Sequence, residues 1–359
     1  MTGRERFRRL MSFEPIDRLP LLELENYEGA VVDRWRNEGL PPDTSVVDFL
    51  GLDTVDIFAV NYWPIPGLPR ETLAEDDEYL TIRDELGIVT RISKTLPGVI
   101  YEHVEHPVKT RRDWEALKDR LDPHDPARYP ADWGLEYAAR YNSSDKPVGL
   151  IIHPFFNRLG YYLMGTENFL LAFHDDPDFL RDMFDFWYQF IIASTEKALD
   201  AIRFDYVAIA EDIAFKHSTL ISPAMYREFW MPRQTPVLDL LRSHDIPVIG
   251  LWSSGDIRPI LPMAIEAGFN ATWPIESQVG LNVIDLRRDY GRSLLVAGNI
   301  SIASLIKGKE AIRREVEEKV VPLVKEGGYL PTVDDITPPE VPFENYIYYI
   351  SLLRDIVMP

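Results

Sequence analysis

The sequence predicts an α/β fold, a single (β/α)8 barrel carrying a small antiparallel β insertion, and three observations lead there. Apolar runs without a polar face recur at residues 147–152, 206–210, 247–251 and 294–298. Such runs suit parallel strands covered on both sides, because a strand wetted on one face would alternate. Each run stops at polar side chains: His153, Glu211 with Asp212, the serines after Trp252, and Asn299. Helix-like segments separate them, so the polar residues collect on one rim, where α/β barrels place their sites. A doubly wound open sheet is the alternative, disfavoured because no glycine-rich phosphate loop follows any run.

The elements follow in order. Residues 4–11 have helical spacing with Phe7, Leu10 and Met11 on one side, and Pro15 and Pro20 end that segment. Residues 19–25 are expected as the first strand, ending in Glu23, Glu25 and Tyr27, and residues 54–60 as the second. Residues 78–106 alternate in short runs with charged and glycine-containing turns, which predicts an antiparallel insertion too small to bury its own core. The third strand, 147–153, leads into a segment rich in aromatics, with Phe155, Phe156, Tyr161 and Tyr162 around Arg158. A long amphipathic helix then starts at Pro177. Ser222 and Pro223 read as the cap and first residue of a helix after the fourth strand. Strands five to eight are expected at 247–251, 271–275, 294–298 and 328–333, making eight, the number a closed parallel ring requires.

Composition bounds the function. The chain has 359 residues, 46% of them hydrophobic, enough for one large domain spanning 1–359. With 38 basic and 58 acidic residues the net charge is −20, which disfavours nucleic acid and anionic lipid as partners. The absence of cysteine excludes disulfides, thiolate zinc sites and cysteine nucleophiles. Met1 opens a charged stretch, and no apolar run of roughly 18 residues occurs, so a cytoplasmic, non-membrane protein is expected.

Candidate site residues come from the strand ends. Glu211 and Asp212 are adjacent, so alternation turns one into the mouth and the other away; Glu211 is expected to face it and to act as acid or base. Asp334 and Asp335 form a second such pair, Asp335 expected as catalytic and Asp334 as a substrate contact. His153 is the histidine at a strand end, expected to take part in catalysis. Arg158 is the expected partner of a substrate carboxylate, with Trp252, Ser254, Asn299 and Glu25 as further substrate contacts. A metal site of His153, Glu211 and Asp335 has no close-spaced ligand pair to support it, and none is expected.

The ordered motifs RERFRRLMSFEPIDRLP, LISPAMYREFWMPR, PVIGLWSSGDIRPILPMAIEAGFNATWPIE and GGYLPTVDDITPPEVPFENY resemble the uroporphyrinogen decarboxylase superfamily, which includes cobamide-dependent methyltransferases. The resemblance implies a TIM barrel with its site at the carboxyl ends of the strands, and a homodimer. It places the family's catalytic tyrosine at Tyr161 and its C-terminal histidine at about Asp335. The departures are equally specific. The family's basic N-terminal loop is here the acidic LELENYEGAV, and its aspartate falls near Val60 or Asn61. The zinc ligands of the thiol-methylating branch fall on Trp252, Ser254 and the vicinity of Asp335, so zinc is not expected in its usual form. The resemblance therefore points to a methyltransferase acting with a corrinoid protein or a small methylated compound, cobalamin being a co-substrate and no cofactor tightly bound. Porphyrin decarboxylation and a non-catalytic binding barrel are the alternatives.

Overall fold

The computed structural model describes residues 1–23, 27, 29–95 and 101–358. Its centre is a seven-stranded, wholly parallel sheet of Asp56–Phe58, Val148–Ile152, Tyr206–Ala210, Val248–Trp252, Ala271–Ile275, Leu295–Gly298 and Tyr329–Leu330, in chain order. Every strand therefore pairs with its predecessor, and the connections between them run through helices, as parallel pairing demands. The strands alternate between two environments. One set of side chains, including Tyr206, Ala208, Val248, Ala271, Trp273, Leu295, Ala297 and Leu330, packs together with Phe7, Met11 and Leu22 in one inner cluster. The other set packs under the surrounding helices in a much larger cluster. Both faces are buried, which is why the strands read as continuous apolar runs.

Two glycines make the inner cluster possible. A Cβ on Gly250 would lie 1.8 Å from a ring carbon of Trp273, and one on Gly149 would lie 2.1 Å from the Tyr206 ring. The large rings on one strand thus occupy space left by glycine on the next.

The expectations need three corrections. The first expected strand, 19–25, forms no strand among the described residues; Leu24, Glu25 and Asn26 lie outside them. Leu21, within that segment, and Tyr27, beyond it, each make a backbone contact. Leu21 O accepts from Asp53 N at 2.9 Å beside the first strand, and Tyr27 bridges Thr337 in parallel beyond the last. The last strand is confined to Tyr329–Leu330, with Val333 bridging Ile300. The insertion is present and antiparallel, but it begins earlier, at Glu71–Glu75, followed by Tyr79–Arg83, Val89–Ser93 and Tyr101–Glu105. All five residues of Glu71–Glu75 are exposed, so it carries no apolar alternation to read.

Candidate functional site

The carboxyl ends of the strands place the polar residues. Trp63, in the loop after Asp56–Phe58, and Arg158, in the wound segment Phe155–Met164, meet beside His153. The Arg158 guanidinium carbon lies 3.3 Å from the Trp63 ring centroid, and Tyr162 stands edge-on to Trp63 at 5.2 Å. Trp63, Arg158 and His153 line a pocket of about 490 Å³ together with Val60, Asn61 and Ile151. Arg158 is only 5% exposed and among the described residues has neither a hydrogen bond nor a carboxylate partner, its Nε being buried without an acceptor. Burial lowers its pKa to about 9, so it stays charged at neutral pH. A desolvated guanidinium without a carboxylate partner has the geometry to receive a carboxylate.

His153 shares this pocket, and its Nδ1 is likewise buried without a partner. Burial and then the Arg158 charge push its pKa down to about 4, so the imidazole is neutral at pH 7. The unfolded chain takes up this proton near 6.5, while the folded chain resists until about 4. Stability from this residue is therefore full above pH 6.5 and is lost as the pH falls toward 4. Between pH 7 and 5 the wild type should lose roughly 2 kcal/mol more than His153→Gln, read from urea midpoints at the two pH values.

The adjacent acids separate. Glu211 is fully buried and faces away from the mouth, contrary to the sequence expectation. It accepts from Phe156 N at 2.8 Å, Trp230 Nε1 at 3.1 Å and Gln234 Nε2 at 2.7 Å. Burial raises its pKa to about 8 against those three donors, each of which favours the charged form. Its geometry ties the wound segment and the helix Met231–Ser243 to the strand end. Asp212 takes the mouth position with a left-handed φ of 51° and accepts from Asn157 Nδ2 at 3.2 Å. The protein around it raises its carboxyl pKa, burial being the main cause, while Asn157 and the Ser254 amide oppose the rise.

A residue the sequence reading missed completes the arc. Glu276 ends the apolar run 271–275 as the others end theirs, and it is 4% exposed. Burial and the neighbouring Asp335 charge raise its pKa, while the Ser254 hydroxyl and the Gly255 amide favour its ionised form. Ser254 thus stands between Asp212 and Glu276, and Asp335, half-buried, beyond them. None of these three acids has an ion pair.

The remaining expected residues are placed otherwise. Asn299 is buried at φ 71°, donating to Ile275 O and Leu281 O and accepting from Val283 N. Asp334 is buried and accepts from Ser277 N at 3.0 Å and Ile302 N at 3.1 Å, fastening two loops. Both have their polar atoms occupied by the fold rather than turned to a substrate. Tyr161 packs on Tyr162 and on His103 of the insertion, 4.9 and 5.7 Å between centroids, with Tyr162 the one nearer Arg158. Trp252 is half-buried against the inner cluster. Glu25 lies outside the described residues. The zinc positions do not fit that metal: an indole stands at 252, and the Ser254 hydroxyl is turned to Glu276. Among the described residues no group of three or more histidines and acids is placed to hold a metal ion, and no helix is long and apolar enough to cross a membrane.

The family model described as uroporphyrinogen decarboxylase (URO-D) matches residues 98–356. The chain belongs to the uroporphyrinogen decarboxylase family. No curated protein matches it in sequence. Among solved structures it is similar to a methyltransferase from Methanosarcina mazei, at 18% identity and TM-score 0.63, over 99% of this chain and 98% of that one. It also matches a putative vitamin-B12 independent methionine synthase from Listeria monocytogenes, at 13% identity and TM-score 0.38, over 62% of this chain and 70% of that one. The first likeness gives this URO-D chain its fold along nearly its whole length.

Proposed function

We propose that this URO-D chain is a methyltransferase, on a parallel sheet that closes into a ring, that takes a small methylated carboxylic acid and delivers the methyl group to a corrinoid. The observation that carries the reading is Arg158, one uncompensated guanidinium on an aromatic wall among acids. A tetrapyrrole with many carboxylates would need several such cations. Arg128, the other guanidinium lining this pocket, is committed to the carbonyls of Asn61, Trp63 and Asp122. The fold likeness to a methyltransferase is consistent with the choice. In the transfer the bond from methyl carbon to heteroatom breaks, its electron pair stays on the heteroatom, and the corrinoid nucleophile forms the new bond to carbon. The released heteroatom then takes up a proton, and Glu276 and Asp212, whose carboxyl pKa values burial raises, are the titratable groups beside it.

The experiment mixes the protein with cob(I)alamin and a panel of methylated carboxylic acids and follows the absorbance change to methylcobalamin, with uroporphyrinogen incubated in parallel. Methylcobalamin with at least one acid, and no coproporphyrinogen, is expected. Coproporphyrinogen without methylcobalamin would replace this reading by the decarboxylase one, and neither product would favour a binding barrel.

A further inference from the structure

The free charges at the mouth are of both signs and do not meet. Arg158 is buried and lies on Trp63 with no anion paired to it among the described residues. On the neighbouring strand end Asp212 has no cation, and Glu276 and Asp335 continue the uncompensated acids through Ser254. Asn157, the chain neighbour of Arg158, donates to Asp212 at 3.2 Å, so the segment that carries the cation also holds the acid. Here Arg158 is held by ring stacking and Asp212 by Asn157, and the opposite charges stay separate.

We infer that the mouth binds a short zwitterion, its carboxylate on Arg158 and a methylated ammonium group over Asp212 and Glu276, with the Trp252 indole beside the cation. This deepens the methyl-transfer reading and rests on it, naming the substrate as an N-methylated amino acid or betaine. Each half of the ligand neutralises a charge that the protein leaves without an ion pair, buried at Arg158 and Glu276 and solvent-facing at Asp212, so both halves contribute to affinity. A monoanion of the same shape leaves the acids uncompensated, and a lone cation leaves Arg158 so.

The test is calorimetric titration of the full chain, without cobalamin, using glycine betaine, its uncharged-head isostere 3,3-dimethylbutanoate, and choline. Betaine should bind at least tenfold more tightly than either. Arg158→Met should reduce betaine to the affinity of choline, and Asp212→Asn with Glu276→Gln should reduce it to that of 3,3-dimethylbutanoate. Asp335→Asn, at a half-exposed position, should weaken betaine and not 3,3-dimethylbutanoate, and serves if the double variant, whose Glu276 is buried, fails to fold. Betaine binding no better than either half, or no binding, overturns the inference even if other methylated acids pass their methyl group to cobalamin. Tight betaine binding with no transfer from any compound would instead retain the zwitterion site and remove the methyltransferase.

Discussion

Arg158→Met should raise the KM for a carboxylated substrate on the order of a hundredfold or more while changing kcat far less. The guanidinium binds the part of the substrate that does not react, so its loss is mainly a loss of binding. Removing one partner of a desolvated, hydrogen-bonded charge pair costs about 2–5 kcal/mol, and about 1.4 kcal/mol is a factor of ten. Methionine keeps an apolar stem against Trp63, whose ring the guanidinium now covers at 3.3 Å, so the variant should fold. The same substitution lifts a positive charge from beside His153, whose titration by NMR should move upward from about 4. An unchanged KM with a shifted histidine would leave Arg158 as a structural neighbour only.

The second large effect separates two residues that are adjacent in sequence. Glu211→Ala leaves Phe156 N, Trp230 Nε1 and Gln234 Nε2 without an acceptor in a fully buried place. Each orphaned donor costs about 1–3 kcal/mol, so a loss of at least ~3 kcal/mol in unfolding free energy is expected from denaturant titration. Whatever folded fraction remains should turn over normally. Asp212→Asn should do the reverse, keeping stability close to wild type and losing turnover at least tenfold. If Glu211→Ala were stable and inactive, the assignment of the two carboxylates would be inverted.

That pair also shows what the sequence could and could not reveal. The run Tyr206–Ala210 is apolar at every position and buried at every position. Such a strand announces itself and its parallel, two-sided burial, which is why the sheet was legible. The same uniformity hides which face points inward, so alternation says that Glu211 and Asp212 diverge without saying which enters the mouth. The aromatic surroundings of Arg158 were legible because the rings crowd the chain just after a strand end. Glu276 was overlooked although the run before it ends as the others do, because Pro274 and the bulge between Thr272 and Ile275 break a regular strand pattern. Asn299 and Asp334 sit at strand ends too, but their acceptors serve backbone amides of neighbouring loops, a role that depends on contacts remote in sequence. The exposed first strand of the insertion had no periodicity to betray it.

The central claim is that a methyl-bearing carboxylic acid lies across the carboxyl ends of the strands, anchored by Arg158. A crystal structure with N,N-dimethylglycine bound tests it most directly. The account predicts its carboxylate on the Arg158 guanidinium and its methylated nitrogen toward Asp212 and Glu276; a ligand seated elsewhere, or turned with its carboxylate away from Arg158, would contradict it.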